Sequence, residues 1–286
     1  IDDAATVRRT SPSPPASSAA SDGADRPLLV VLHGYGASER DLLRMQAAWL
    51  APARARLLRR AGIAHRRRIL DLGAGPGAVT EELVRRTEIP RPPGSRESPQ
   101  DEAALIVALD RSLEALQADP EAFRGASRVC ADAARLPFAA ASFDLVFSQC
   151  ALMWMELPAV LREVRRVLQR EGVLIAIEPD YGGMIEYPDS IATRDLWIAA
   201  LVRAGADPFA GRKLPWLLQS LGFETRIELL PEVHPPSPER FQLLGTLPLT
   251  PEECHQIDQI QRARLGFPPV VHLPFFLVTA TLRSRE

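Results

Sequence analysis

Apolar runs alternate with amphipathic stretches along most of the chain. Short apolar runs bounded by polar or glycine-rich turns read as buried strands. They fall at 69–72, interrupted by Asp71 alone, and at 105–109, 129–130, 143–148 and 173–177. Helical patterns lie between them, over about 76–87, from 112, and over 158–168, where Val160, Leu161, Val164 and Val167 share one face. Pro158 suits a first helical turn and Gly172 a stop. Further helices are expected at about 191–204 and 212–221, with two β-rich stretches at 224–230 and 275–282. Strands alternating with helices specify a parallel sheet covered on both faces. The expectation is therefore an α/β fold with a seven-stranded, mostly parallel sheet, helices on both faces and an antiparallel edge strand. In such sheets ligands collect at the carboxyl ends of the strands.

The first strand leads into Gly73, Gly75 and Gly77, which alternate with Ala74, Pro76 and Ala78. Glycine tolerates positive φ and has no Cβ, so a strand–turn–helix of this kind lets backbone N–H groups approach a ligand closely. Acids end the next two strands. Asp110 is suited to accept hydrogen bonds from both hydroxyls of a ribose, and Asp132, followed by Ala133, is placed to meet an adenine edge. Asp110 lies further from the glycines than the roughly 20 residues of the dinucleotide fingerprint, and the Pro-rich loop at 90–100 accounts for the excess.

Before the glycine turn the pattern is different. Residues 1–26, rich in Ser, Pro, Ala and Asp, read as a disordered tail. Residues 27–66 read as an apolar segment and a helical region, a lid or substrate-side element, with a break at Pro52. Residues 28–38, containing His33-Gly34, resemble the oxyanion-hole segment of α/β-hydrolases. The Gly-x-Ser-x-Gly elbow that should follow occurs nowhere in the chain, which leaves an extended segment packed on the main domain. Arg54, Arg56, Arg59 and Arg60, with Arg66, Arg67 and Arg68, read as a solvated helix face and its exit rather than an RNA-contacting arm.

Bulk properties narrow the function. The 286 residues are 46% hydrophobic and carry a formal net charge of −2, so the basic excess of a nucleic-acid binder is missing. No apolar run approaches the roughly 20 residues of a membrane span, and no signal-peptide core precedes the first domain, which points to the cytoplasm. Cys130, Cys150 and Cys254 lack C-x-x-C spacing, so neither a zinc site nor a disulfide framework is expected.

The segments Asp-Leu-Gly-Ala-Gly-Pro-Gly at 71–77, Ala-Asp-Ala-Ala-Arg-Leu-Pro-Phe at 131–138, Ser-Phe-Asp-Leu-Val at 142–146, and Glu-Val-Arg-Arg-Val-Leu at 163–168 followed by Glu-Gly-Val-Leu at 171–174 form a set. This set resembles the class I S-adenosylmethionine-dependent methyltransferases, in the broad group that includes the ubiquinone/menaquinone-biosynthesis enzymes. The similarity covers roughly 67–180. It implies a Rossmann-like domain over 67–286, with a substrate-side insertion at about 181–273, and S-adenosylmethionine as cofactor. It further implies cofactor contacts from Asp71, Gly73, Ala74, Gly75, Gly77, Asp110, Arg111, Asp132, Ala133, Gln149 and Leu152. The acceptor is expected to be a small, partly apolar molecule bound between 39–61 and the insertion, where Trp197, Trp216, Pro235-Pro236, Phe241 and Leu243-Leu244 supply apolar surface. A base is optional in methyl transfer, and the candidates are Glu178, Asp180 and Tyr181. Two other readings share part of this pattern. A nicotinamide-dependent oxidoreductase fits the looser glycine pattern, but Asp71 stands where its fingerprint is usually apolar, and no Tyr-x-x-x-Lys pair is apparent. A non-catalytic cofactor-binding protein on the same fold would differ only in lacking turnover.

Overall fold

The structure, a computed structural model, describes residues 37–87, 103–230, 239–263, 265 and 267–283. The tail at 1–26, residues 28–36 of the hydrolase-like segment, the loop at 90–100 and Pro235-Pro236 lie outside the described residues.

Two helices, α1 (Ala37–Trp49) and α2 (Ala51–Arg60), precede the sheet. Five strands follow: β1 (Arg68–Leu72), β2 (Leu105–Asp110), β3 (Ser127–Cys130), β4 (Phe143–Gln149) and β5 (Leu168–Pro179). Helix α3 (Thr80–Thr87) connects β1 to β2, α4 (Leu113–Ala118) lies between β2 and β3, and α5 (Leu157–Val167) precedes β5. The remainder contains β6 (Ile185–Tyr187), α6 (Arg194–Arg203), α7 (Ala210–Ser220), β7 (Phe223–Leu229), α8 (Glu239–Gly245), α9 (Pro251–Arg262), β8 (Val270–His272) and β9 (Phe275–Leu282). The main sheet has the order β3-β2-β1-β4-β5-β9-β7, and β6 pairs with β8 in a small separate sheet.

The pairs among β1 to β5 are all parallel, whereas β9 runs antiparallel to both β5 and β7. The antiparallel strand therefore sits one place in from the edge. Edge strand β7 carries Glu224, Arg226 and Glu228, and such charges discourage pairing with another chain. Because β1 has β2 on one side and β4 on the other, the chain reverses its direction of winding at β1. The crevice at its carboxyl end is the place where ligands bind in this architecture.

Side chains alternate across the sheet. Ile69, Leu145 and Phe147 meet Leu57 and Leu58 of α2 and Leu83 of α3 on one face. Leu70, Leu72 and Val146 meet Leu161 and Val164 of α5 and Leu214 of α7 on the other. The expected apolar face of α5 is buried throughout, and its N-terminus is capped by Glu156, which accepts from the Ala159 N–H at 2.7 Å.

Several local expectations shift. The break between the first two helices falls at Leu50, and Pro52 occupies the first turn of α2, where its missing N–H costs nothing. Helix α3 begins only at Thr80, so Pro76 belongs to the turn. The arginines are not a uniformly solvated face. Arg54 is buried, Arg56 and Arg60 pair with Glu228, and Arg66 donates to the carbonyls of Ala61 and Asp144. Position 54 lies four residues after Leu50, and three and four before Leu57 and Leu58, so helical periodicity carries it into the core stripe. Among the described residues no helix is long and apolar enough to cross a membrane.

Candidate functional site

A cavity of about 640 Å³ opens at the carboxyl ends of β1 to β4. Its lining includes Asp71, Gly73, Ala74, Gly75, Asp110, Arg111, Asp132, Ala133 and Gln149, which the sequence placed around a cofactor. Leu43, Gln46 and Ala47 of α1 contribute from one side, and Tyr181, Trp197, Leu201, Leu243 and Leu247 from the region after β5. The two regions expected to form the acceptor pocket thus meet over the glycine turn. Trp216, expected there too, is 72% exposed and lies outside this lining.

The turn is held by backbone bonds. The N–H groups of Gly73 and Ala74 donate to the Leu109 carbonyl at 2.8 and 3.0 Å. Gly73 has φ +74°, and a Cβ there would come within 2.4 Å of the Ala151 Cβ. Gly75 has φ +53°, and a Cβ there would meet nothing within 4 Å, because this residue faces open cavity. Gly77 is turned elsewhere: a Cβ would lie 2.9 Å from Ala122 and Phe123, so it packs under the turn rather than lining the cavity.

Three carboxylates ring the site. Asp71 is almost fully buried and accepts from the Thr80 hydroxyl at 2.7 Å. Burial pushes its pKa up to about 6, against the pull of the Thr80 hydrogen bond and the Arg54 charge. Asp110 accepts from the N–H groups of Gly75 and Ser112, each at 2.8 Å. Burial raises its pKa as well, opposed by these backbone donors. Asp132 is exposed and accepts from the Ala134 N–H at 2.9 Å, which sets the short turn carrying Ala133. Gln149, at the end of β4, receives Arg54 Nη1 on Oε1 at 2.9 Å.

The base candidates separate. Glu178 is fully buried and does not line the cavity. Its Oε1 accepts from the N–H groups of Ala151 and Leu152 at 3.0 and 2.9 Å, and its Oε2 from Met153 at 3.3 Å. Burial lifts its pKa to about 7 in spite of these donors. Asp180 is also outside the lining, held by Arg212 at 2.7 Å. Tyr181 does line the cavity, with its ring 5.2 Å from that of Trp197. Burial raises the Tyr181 phenol and the nearby Cys150 thiol far above their ordinary values, so both stay protonated near neutrality. Leu152 is a core residue beside the cavity rather than in its wall. Among the described residues no group of His, Cys, Asp and Glu could hold a metal ion. Arg54 was missed as a site residue, although its place on the apolar stripe of α2 was the available signal.

The residues fit a nucleoside joined to an amino acid. A buried carboxylate favours a cation, the open face of Gly75 leaves room for close backbone approach, and the acids of β2 and β3 accept hydrogen bonds from hydroxyl and amino groups.

Residues 70–176 match the family model described as a methyltransferase domain, close to the span where the resemblance was read. Over 112 residues the chain is 39% identical to the malonyl-[acyl-carrier protein] O-methyltransferase of Halorhodospira halophila, covering 39% of this chain and 34% of that protein. The protein of the same name from Gallionella capsiferriformans is 33% identical over 118 residues, covering 38% and 36%. The chain thus spans about a third of the length of these curated relatives. A candidate methyltransferase from Bacillus halodurans superposes with a TM-score of 0.58 at 15% identity, covering 80% of this chain and 98% of that one. The fold is the Rossmann-like fold of class I methyltransferases, as expected. The finer likeness to ubiquinone/menaquinone enzymes is not what these relatives carry, since both are malonyl-[acyl-carrier protein] O-methyltransferases by name.

Proposed function

We propose that the protein transfers a methyl group from S-adenosylmethionine to a small, partly apolar acceptor. The observation that carries this reading is the convergence of Asp71, Asp110 and Asp132, from three adjacent strands, on one cavity beside the open Gly75 turn. The match of 70–176 to a methyltransferase domain supports it. When bound, the sulfonium supplies an activated methyl group. Asp71 receives the ammonium of the amino-acid end, Asp110 the ribose hydroxyls, and Asp132 with the Ala133 backbone the adenine edge. Arg111 borders the adenosine side. The apolar wall of Tyr181, Trp197, Leu201, Leu243 and Leu247 excludes water and aligns the acceptor.

The two acidic candidates at the end of β5 are committed elsewhere, Glu178 to three backbone N–H groups and Asp180 to Arg212. Tyr181 and Cys150 hold their protons. This favours an acceptor whose nucleophilic atom carries no proton at neutral pH. A carboxylate oxygen meets that condition, and the relatives' names attach an O-methyl group to a malonyl unit on a carrier protein. A carrier-bound malonyl carboxylate is accordingly the second acceptor reading, beside a free small molecule.

The test has two stages. Calorimetry with S-adenosylmethionine should give saturable binding that Asp110→Ala abolishes, and an intact protein that binds none sinks the proposal. Incubation with methyl-labelled S-adenosylmethionine should then label malonyl-acyl-carrier protein or a free carboxylic acid. Binding without labelling of any acceptor would instead support a non-catalytic cofactor-binding protein.

A further inference from the structure

We infer that Arg54 is a positioning residue. It turns the Gln149 amide so that its NH₂ faces the cavity as a donor to the carboxylate of the bound amino-acid moiety, opposite the ammonium held by Asp71. The inference rests on the cofactor reading proposed above and deepens it.

Arg54 is 3% exposed and makes four hydrogen bonds inside the protein. Its Nε donates to Glu82 Oε2 at 2.7 Å, and its Nη2 to the same oxygen. Its Nη1 donates both to the Ala47 carbonyl at 2.8 Å and to Gln149 Oε1 at 2.9 Å. Glu82 is steadied in turn by Arg86 Nε on its other oxygen, at 2.6 Å. A guanidinium offers donors only, so the Gln149 atom that meets it must be the carbonyl oxygen. The other end of the amide carries two N–H donors, and the cavity wall is where Gln149 stands.

Strand register supplies the partner. Asp71 pairs with Phe147, two residues before Gln149, so the two side chains lie on neighbouring strands and on the same face, at the carboxyl edge. One presents an acceptor and the other a donor, a pair complementary to a zwitterion. The Arg54 charge also opposes the rise of the Asp71 pKa and keeps that acceptor available. Because Nη1 bridges Ala47 on α1 and Gln149 on β4, the same residue fixes the helix that borders the cavity. A lysine, with a single nitrogen, cannot reproduce this three-way fork.

The experiment compares two nucleosides by calorimetry. S-adenosylhomocysteine carries the amino-acid tail, and 5′-methylthioadenosine is a nucleoside thioether without it. Gln149→Glu keeps an oxygen for Arg54 and replaces the donor with an anion. It should weaken S-adenosylhomocysteine about tenfold or more while leaving 5′-methylthioadenosine within about twofold. Arg54→Leu alone would take one of its two cationic partners from the buried Glu82, so the paired variant Arg54→Leu with Glu82→Leu is used, its folding checked by circular dichroism. It should lower the preference for S-adenosylhomocysteine several-fold. An unchanged ratio between the nucleosides in either variant, with both still bound, overturns this inference alone. Failure of the wild-type protein to bind either nucleoside overturns it together with the cofactor reading.

Discussion

Replacing Glu178 with glutamine should reshape the pH dependence of stability. The native carboxyl binds its proton more tightly than the unfolded one, its pKa rising from 4.5 to about 7 because burial penalises the charge. The stabilisation this confers is fully present below pH 4.5 and is lost as pH climbs through 7. The rise corresponds to about 3 kcal/mol. Glutamine keeps an oxygen for the N–H groups of Ala151 and Leu152, but it turns an NH₂ toward the N–H of Met153. Two donors then face each other in the interior, costing about 1–3 kcal/mol at every pH. The wild type should therefore be the more stable protein near pH 5, and the gap should close or reverse by pH 8. Asp71, also raised by burial, titrates in both proteins and cancels in the difference. Urea unfolding followed by far-UV circular dichroism at pH 5, 6, 7 and 8 measures the gap directly. A difference constant to within about 0.5 kcal/mol across that range would refute the argument, because Glu178 would then not titrate in the window its burial dictates.

Four further outcomes are expected. Gly73→Ala forces a Cβ to 2.4 Å from Ala151 at φ +74° and should destabilise the fold by about 3 kcal/mol, read from urea midpoints. Gly75→Ala should cost only about 1 kcal/mol of backbone strain, yet weaken S-adenosylhomocysteine markedly in calorimetry, because its methyl group enters the cavity. Asp71→Asn should weaken the same ligand. Wild-type affinity should decline as pH falls through about 6, where the carboxylate takes up a proton, and the variant's should show no such step. Arg212→Ala strips the guanidinium from the buried Asp180 and should lower stability by about 2 kcal/mol, a loss visible in the melting temperature and partly recovered by Arg212→Lys.

The parts of this protein legible in its sequence are those where local pattern and tertiary role coincide. Buried parallel strands are continuous apolar runs, and the first, second and fourth lie where those runs do. The α5 stripe and the closely spaced glycines are similarly local signals. Glu178 shows where this breaks down. Its place at a strand end made it a candidate base, but alternation along β5 puts it on the α5 face, under the turn at 152–154 rather than in the cavity. Arg54 shows the same limit, since charge usually signals solvation and only its spacing from Leu50, Leu57 and Leu58 argues otherwise. The short β6–β8 pair left no trace, since Ile185, Tyr187 and Val270 are exposed and form no apolar run. The pairing of β9 between β5 and β7 is set by contacts far apart in the chain, which no sequence window contains.

That placement of β9 has a consequence for how the molecule comes into being. Strand β5 is finished at Pro179, but the strand that covers its open side starts only at Phe275. Roughly a hundred residues emerge in between, on the order of 5–20 s on a ribosome. Strand β7 is made during that interval and has no partner until β9 slides in beside it. The nascent chain therefore carries two unpaired strand flanks, one of them the apolar Val173, Leu174, Ile175, Ala176 and Ile177 ladder, until a single late segment closes both. A chain interrupted before 275 would already contain nearly every residue of the cavity wall, yet it would display that sticky ladder to its neighbours. The last strand to be made, furthest from the glycine turn in sequence, is the one that closes both flanks at once.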